Sequence, residues 1–219
     1  MKTLTFTEEN YLKAIIVLSG RTRGRVANQS IAGELKINPA TVTEMLRRLR
    51  DKKLVEYSRS TGAILTKAGK EVALKVVRKH RLWETFLVRK MDFTWAEVHE
   101  VAEQLEHLQS DKLIEQLDHL LGHPRFDPHG DPIPDGNGKL PRLKALPLSE
   151  RESGRKYRLV AVADNSHAFL MLLDTLHLGL NDIIEVNSIR EYDRSLDVTL
   201  NGKTRTLLSR EISLKLLVA

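Results

Sequence analysis

Apolar residues recur at helical spacing through the first third of the chain, and Tyr11, Ile15 and Leu18 form the first such stripe. The pattern predicts three helices and then two short alternating strands, over residues 7–18, 28–35, 40–52, 54–57 and 63–65. Pro39 stands just before the third helix, where proline is tolerated. Three helices followed by a hairpin predict a winged helix-turn-helix.

The middle of the chain is also predicted to be helical. A long amphipathic run begins after Thr66 and reaches Lys90, and two shorter helices are expected at 94–107 and 110–121. Three helices this apolar favour self-association. The segment 123–148 then holds six of the seven prolines and three glycines, which predicts a linker or an irregular loop.

The end of the chain has the pattern of a small β-rich unit. Short strands, one short helix and an Asn201-Gly202 turn are predicted over 157–162, 167–176, 183–186, 196–200 and 205–208. Strands of this spacing are typical of a small SH3-like barrel. The expected fold is mainly α with small β, in four parts: a winged helix-turn-helix, a helical metal-binding and dimerisation domain, a linker and an SH3-like domain, over 1–73, 74–142, 143–156 and 157–219.

Charge is distributed unevenly along the 219 residues. The net charge is +6, but residues 1–73 hold 14 Lys/Arg against 7 Asp/Glu, which is +7. The excess therefore coincides with the predicted helix-turn-helix, as expected for a nucleic-acid surface. The chain has no cysteine, which excludes disulfides and thiolate metal sites. It shows no signal-peptide core and no apolar run that spans a bilayer, so a cytoplasmic protein without membrane contact is expected.

The predicted third helix is the candidate DNA-reading element. In a helix-turn-helix the second helix of the motif enters the major groove, with its first residues at the base edges. Arginines further along suit phosphates or a guanine, and one on the wing suits the backbone or minor groove. The candidate DNA-binding residues are Ala40, Thr41, Thr43, Glu44, Arg47, Arg48 and Arg59.

Histidines and acids recur at helical spacing in the middle of the chain. His80 and Glu84 stand four residues apart, as do His99 and Glu103, and Glu106-His107 follows on the same predicted face. Such a mixed nitrogen and oxygen set suits a divalent cation such as Mn, Fe, Co or Zn. A solvated charged face is the simpler interpretation of any one such helix.

Four blocks together resemble the diphtheria-toxin-repressor family of metal-dependent regulators, including its manganese-sensing branch. They are Glu9-Asn10-Tyr11-Leu12, Pro39 to Thr43, Arg78 to Glu84, and Val98 to His107 with Ser110-Asp111. The resemblance covers essentially the whole chain. It implies a primary site at Asn10, Glu103, Glu106 and His107. It also implies an ancillary site at His80, Glu84 and His99, to which the SH3-like domain adds a ligand near Asp164, with Asn165 and His167 beside it.

Three positions bear on the metal. By the resemblance, position 103 is cysteine in iron sensors and glutamate in manganese sensors, so Glu103 is manganese-like. Asn10 replaces the methionine or aspartate of those branches, and Lys13 replaces a second acidic ligand of some manganese sensors. Oxygen-rich ligation favours Mn(II), with Fe(II) as the alternative.

The resemblance implies a homodimeric repressor of metal-uptake genes that binds a palindromic operator in double-stranded DNA when metal is plentiful. Three alternatives remain open from the residues: a winged-helix regulator answering an organic ligand, a metallohydrolase, and an adaptor for proline-rich peptides. No nucleophile motif or glycine-rich phosphate loop supports an enzyme. Four other histidines lack partner spacing and are taken as structural: His119, His123, His129 and His177.

Overall fold

The structure is a computed structural model that describes residues 4–22 and 24–219, with the side chains of residues 21 and 22 outside the description. Residues 1–3 and 23 of the predicted winged helix-turn-helix domain therefore lie outside the described part. The chain divides into two compact units. The first combines the chain up to His80 with 104–111 and 134–139, and the second contains 81–103, 112–133 and 140–219.

The first unit contains the predicted winged helix-turn-helix. Its elements are α1 (Phe6–Thr22), α2 (Asn28–Leu35), α3 (Pro39–Asp51), β1 (Val55–Ser58) and β2 (Gly62–Leu65). Asn38 caps α3, because its Oδ1 accepts a hydrogen bond of 2.8 Å from the amide of Ala40. Ile31, Val42 and Leu46 are fully buried in a core that α1 shares with both hairpin strands. Burial of this apolar stripe fixes the outer face of α3 toward solvent.

Three further helices are α4 (Lys67–Lys90), α5 (Val98–Leu105) and α6 (Asp111–Leu120). Thr66 starts α4, since its Oγ1 accepts from the amide of Gly69 at 3.1 Å. The bounds of α4 agree with the sequence prediction. No helix within the described residues is long and apolar enough to cross a membrane.

The predicted end of the second of these helices, at His107, was wrong, because α5 ends at Leu105. Glu106 and His107 lie in the following turn, where the amide of Leu108 donates to Leu105 O at 3.1 Å. The turn arises because α6 begins only six residues after α5 ends, and because both side chains are buried against partners in the first unit. The sequence had placed them on one helical face with His99.

The end of the second unit is a six-stranded antiparallel sheet. Its elements are β3 (Leu146–Pro147), a 3₁₀ turn (Leu148–Glu150), β4 (Arg155–Val162), α7 (His167–Thr175), β5 (Ile183–Ile189), β6 (Leu196–Leu200), β7 (Thr204–Leu208), α8 (Arg210–Lys215) and β8 (Leu216–Val218). The strand order is β3-β8-β4-β5-β6-β7. Leu196, Val198 and Leu200 alternate into its core, as period-two patterning requires. The expected class, mainly α with small β, is confirmed.

Two parts of this unit differ from the sequence prediction. β3 and the 3₁₀ turn lie inside the predicted linker 143–156, and Leu148 is fully buried in the sheet core. α8 and β8 were not predicted, because the run from Leu214 to Ala219 has no turn residues to separate a helix from a strand. Ser209 caps α8 by accepting from the amide of Ile212.

Two glycines in helices provide a matched stability test. A Cβ on Gly69 would lie 1.9 Å from the carbonyl oxygen of Leu54, whereas a Cβ on Gly33 would meet nothing within 4 Å. We expect Gly69→Ala to destabilise the fold by about 1–3 kcal/mol and Gly33→Ala to stabilise it by about 0.5–1 kcal/mol. Urea unfolding of both variants measures this. Equal stability of the two variants would contradict the close approach of α4 to Leu54.

Candidate functional site

Glu106 is the centre of a polar cluster in the first unit. Its carboxylate is fully buried and accepts from Lys13 Nζ, which lies 2.7 Å from Oε1 and 2.8 Å from Oε2. His80 Nδ1, from α4, is 2.7 Å from Oε2. Burial alone would raise the pKa of Glu106, but the contacts with His80 and Lys13 outweigh it and lower the pKa below its usual value. Glu106 is therefore an anion held by two cationic or donor groups.

His107 is oriented by a second carboxylate of the same unit. Its Nδ1 is 2.6 Å from Glu9 Oε2, its Nε2 is 3.7 Å from Glu106 Oε1, and its ring stacks on Phe6 with centroids 4.5 Å apart. A proton on Nδ1 satisfies the short contact to Glu9 and leaves the Nε2 lone pair facing Glu106. Histidine ligands of metals have this arrangement, with the far nitrogen donating to a carboxylate.

Asn10 adds an oxygen without a partner. Its Oδ1 is buried and accepts no hydrogen bond from the described residues, which is costly unless another donor or cation binds there. The structure places Glu106 and His107 beside each other, with His107 Nε2 3.7 Å from Glu106 Oε1. Asn10 lies on α1 between Glu9 and Lys13, which contact these two residues, and its role as a ligand stays a prediction. Amide, carboxylate and imidazole donors suit a hard or borderline divalent cation, so these residues fit the metal.

The sequence did not predict that Glu9 contacts His107 or that Lys13 contacts Glu106. Both lie on α1 four residues apart, so they share one face of the helix with the buried cluster. The signal was present as the charged pair flanking Asn10, but only the fold shows that Glu106 and His107 face it. Glu9 orients His107, and Lys13 neutralises Glu106.

The remaining predicted ligands include a histidine and two carboxylates of the second unit. His99 Nδ1 is 3.3 Å from Glu84 Oε1, and its Nε2 is 3.4 Å from Glu103 Oε1. Glu103 comes first and Glu84 second in raising the pKa of His99 to about 9. Glu84 lies one turn beyond His80 on α4, which confirms their predicted spacing. Glu103 thus pairs with His99, and its role as a primary ligand stays a prediction.

Asp164 does not belong to a group of three or more clustered ligand side chains within the described residues. Its Oδ2 pairs with Lys215 Nζ at 2.8 Å, and its Oδ1 accepts from the amide of Ser166. Burial would raise the pKa of Asp164, but the hydrogen bond to Lys215 and those to Ser166 lower it. Lys215 ends α8, the helix that the sequence did not predict. Nearby, Asn165 donates to Asp131 and His167 Nδ1 is 3.2 Å from Ala96 O.

His129 is more than the structural histidine expected. It is 1% exposed, and it clusters with Glu84 and Asp127 so closely that one donor atom from each lies within 4.8 Å of the others. The sequence spacing gave no sign of this, because His129 lies in the proline-rich loop far along the chain from Glu84. Of the other three, His123 Nδ1 contacts Asp118 Oδ2 at 2.7 Å.

The outer face of α3 carries the candidate DNA-binding residues. Its members Ala40, Thr41, Glu44, Arg47 and Arg48 are exposed, Thr43 is half-buried, and Arg59 is exposed at the β1–β2 turn. The hydroxyl of Thr43 accepts from Asn28 Nδ2 at 3.0 Å, and Asn28 also donates to Tyr57 OH. Glu44 pairs with Arg48 one turn later. Arg47 is thus exposed, and its neighbour Arg48 is paired with Glu44 on the same helix.

Three families match the chain in series. Residues 3–63 match "iron dependent repressor, N-terminal DNA binding domain", and residues 66–135 match "iron dependent repressor, metal binding and dimerisation domain". Residues 146–219 match the FeoA domain, which bears out the expected SH3-like unit.

Related repressors match the chain over most of its length. The chain is 30% identical to the diphtheria toxin repressor of Corynebacterium glutamicum over 95% of its own length and 94% of that protein. It is 34% identical to the iron-dependent repressor IdeR of Mycobacterium leprae over 67% of its length and 69% of that protein. A solved manganese-dependent transcriptional repressor in complex with manganese is 31% identical, with a TM-score of 0.86 over 97% of this chain and 99% of that one.

ScaR with bound Cd²⁺ is also 31% identical, with a TM-score of 0.78 over 97% of this chain and 98% of that one. These matches run the length of the chain and include both the DNA-binding and the metal-binding and dimerisation domains. Members of such families are regulators rather than enzymes. The chain belongs to the diphtheria-toxin-repressor family and is a metal-dependent transcriptional repressor that binds DNA and dimerises.

Proposed function

We propose that this repressor responds to Mn(II), with Fe(II) as the alternative metal. The metal-bound homodimer represses metal-uptake genes by binding a palindromic operator. The observation that carries the proposal is the orientation of His107 between Glu9 and Glu106, in the unit that also contains α3. Support for Mn(II) comes from the donors: oxygen and imidazole only, with no cysteine in the chain.

The proposed primary ligands are Asn10, Glu103, Glu106 and His107, and the proposed ancillary ligands are His80, Glu84 and His99. A bound divalent cation would supply the positive charge that joins α1 to the turn after α5. Asp164, the further ancillary ligand implied by the resemblance, pairs with Lys215 and accepts from Ser166, so a cation there would have to compete with Lys215.

Lys13 neutralises Glu106 in the metal-free protein. Its ammonium lies on both oxygens of Glu106, at 2.7 and 2.8 Å, so the carboxylate is already neutralised. A divalent cation bound by Glu106 would have to displace Lys13 from that carboxylate. The displacement would exchange a charge of +1 for a charge of +2 at Glu106, and Asn10 would then be the residue of α1 that holds the cation.

The coupling to DNA follows from where these residues lie. α1 packs in the core that carries α3, so holding α1 to the Glu106–His107 turn limits the positions that the reading helix adopts. In a homodimer, two reading helices must reach successive major grooves about 34 Å apart. A metal site that restricts the two reading helices to this separation raises DNA affinity by population shift. A coupling free energy of about 1–3 kcal/mol between metal binding and DNA binding is typical.

The first test removes the charge of Glu106. Operators are selected in vitro from random duplexes with wild-type protein and Mn²⁺, and affinity is measured by fluorescence anisotropy with Mn²⁺ or with chelator. Wild type should bind about 10–100-fold more tightly with Mn²⁺. Glu106→Gln should bind with one affinity in both conditions, because it loses the anionic ligand.

The matched control for this test is Glu115→Gln on α6, an exposed acid outside the cluster. It should respond to Mn²⁺ as wild type does. A wild-type protein whose DNA affinity is the same with Mn²⁺ and with chelator would overturn the proposal.

The second test concerns Arg47 on the exposed face of α3. Arg47→Ala should weaken operator binding by about 1–3 kcal/mol if the side chain reads a guanine. If it binds a phosphate, the loss should be similar on all sequences, and the slope of log K against log salt should fall by about 0.9. Arg155→Ala, on β4, is the control and should change neither quantity. Unchanged affinity and slope in Arg47→Ala would remove α3 from the interface.

The third test uses the pKa of His99. Glu103 and Glu84 raise it to about 9 from an ordinary value of 6.5, so these contacts stabilise the folded chain fully below about pH 6.5. That contribution is lost as pH rises through about 9. Glu103→Gln should lower the pKa of His99 toward 6.5 in an NMR titration of the metal-free protein. A wild-type value near 6.5 would show that His99 does not face these carboxylates.

A further inference from the structure

The first turn of α1 is held mainly by polar contacts. Among residues 5–9, only Glu8 and Glu9 are buried, and Phe6 is 61% exposed. The fully buried apolar stripe of the helix starts later, at Tyr11. The position of this turn therefore depends on what the two carboxylates contact.

The two carboxylates contact different parts of the first unit. Glu9 Oε2 is 2.6 Å from Nδ1 of His107, a proposed metal ligand. Glu8 Oε1 is 2.5 Å from Nζ of Lys52, the residue that caps the C-terminal end of α3. Adjacent residues lie about 100° apart around a helix, so a single turn of α1 can contact both partners. The first turn of α1 thus contacts a proposed metal ligand with one carboxylate and the end of the reading helix with the other.

Glu8 is fixed on α1 by a capping box. Its Oε2 accepts from the amide of Thr5 at 3.0 Å, and Oγ1 of Thr5 accepts from the amide of Glu8 at 3.3 Å. This reciprocal pair is the Thr-x-x-Glu arrangement that closes the first turn of a helix. The carboxylate that contacts Lys52 is therefore positioned by the helix itself, and it moves when the first turn moves.

Lys52 is fixed in the same way at the end of α3. Its amide donates to Arg48 O at 3.0 Å, and Leu49, three residues earlier, is fully buried in the core of the first unit. A cation in this place is also favoured by the dipole of the helix. The ammonium group thus moves with α3, as the carboxylate of Glu8 moves with α1.

Burial distinguishes this ion pair from one that lies within α3. The side chains of Glu8 and Lys52 are 7% and 35% exposed, whereas those of Glu44 and Arg48 are 66% and 63% exposed. Exposed pairs contribute little, because water screens both charges. Loss of the contact to Glu8 instead leaves a buried carboxylate without its cation. The pair between α1 and α3 therefore has the larger effect on the relative position of its two elements.

The location of Lys52 gives this contact leverage over the reading residues. Lys52 and Ala40 are 12 residues apart, and the distance between them along α3 is about 18 Å at a rise of about 1.5 Å per residue. A tilt of about 10° about Lys52 therefore moves the first turn of α3 by about 3 Å, which is the length of a hydrogen bond. A contact that restricts this tilt bears directly on whether the first turn reaches the base edges.

We propose that Glu8 and Lys52 are positioning residues, which transmit the position of the first turn of α1 to the reading helix α3. This inference rests on the proposed function, because it takes metal binding at Glu106 and His107 as the event that holds α1. Neither positioning residue is a proposed metal ligand or a candidate DNA-binding residue. Their contact therefore changes the coupling between metal and DNA, and the affinity of the protein alone for the metal does not depend on it.

The experiment compares the operator affinity of the full chain with Mn²⁺ and with chelator, by fluorescence anisotropy at one salt concentration. Glu8→Gln keeps an oxygen for the Thr5 amide and loses the ion pair, and Lys52→Met keeps an apolar stem and loses the charge. Each should lower the ratio of the two affinities by at least about 3-fold. Calorimetry should give the wild-type Mn²⁺ affinity for each variant without DNA. Lys53→Met, at the adjacent exposed lysine, is the matched control and should keep the wild-type ratio.

A double-mutant cycle separates one shared contact from two independent effects. If the two side chains act through each other, the variant with both substitutions should have the same ratio as either single variant, whereas independent losses would multiply. The side chain of Lys52 is 35% exposed, so Lys52→Met tests the pair even if Glu8→Gln disturbs the fold of α1.

Two results would overturn the inference: single variants whose ratio equals that of wild type, or losses that multiply in the double variant. A lysine that only contacts a DNA phosphate gives the first result, because its loss weakens binding equally with Mn²⁺ and with chelator. A wild-type chain whose DNA affinity does not respond to Mn²⁺ would instead contradict the proposed function, so the two failures are distinguishable.

Discussion

The anion of Glu106 is the constraint around which the first unit is organised. A fully buried carboxylate without partners would cost several kcal/mol, so the fold must supply positive charge and donors to it. Lys13 from α1 and His80 from α4 do this. The contacts that make burial tolerable are therefore also the contacts that connect the first helix to the turn after α5.

The same constraint explains why this cluster suits a sensor. In the proposed response, a metal ion would compete with the ammonium group of Lys13 for one carboxylate. His107 is already oriented by Glu9, with its second nitrogen facing Glu106. Ligands that are already oriented need little reorganisation, so under this proposal the free energy of cation binding would go into holding α1. Since α1 shares a core with α3, DNA affinity would change with the position of α1.

The local pattern of the chain predicted most elements, and the tertiary contacts decided the rest. The stripe of α1, the proline before α3 and the long run of α4 are local signals, and these helices lie where they were expected. The end of α5 is not local: Glu106 and His107 leave the helix because their partners Glu9, Lys13 and His80 lie far along the chain. Likewise, His129 joins Glu84 only because the loop packs on β4. The ion pair of Asp164 with Lys215 could not be predicted either, because the sequence gave no sign of the helix that carries Lys215.

The coupling between metal binding and DNA binding can be tested in one experiment. The affinity for Mn²⁺ is measured by titration of the protein alone and of the protein saturated with its selected operator. Binding free energies are reciprocal, so if Mn²⁺ at Glu106 and His107 favours the DNA-bound arrangement, the operator must tighten Mn²⁺ by the same factor by which Mn²⁺ tightens the operator. The account predicts equal factors of about 10–100 by isothermal titration calorimetry. Mn²⁺ affinity that is identical with and without the operator would contradict it.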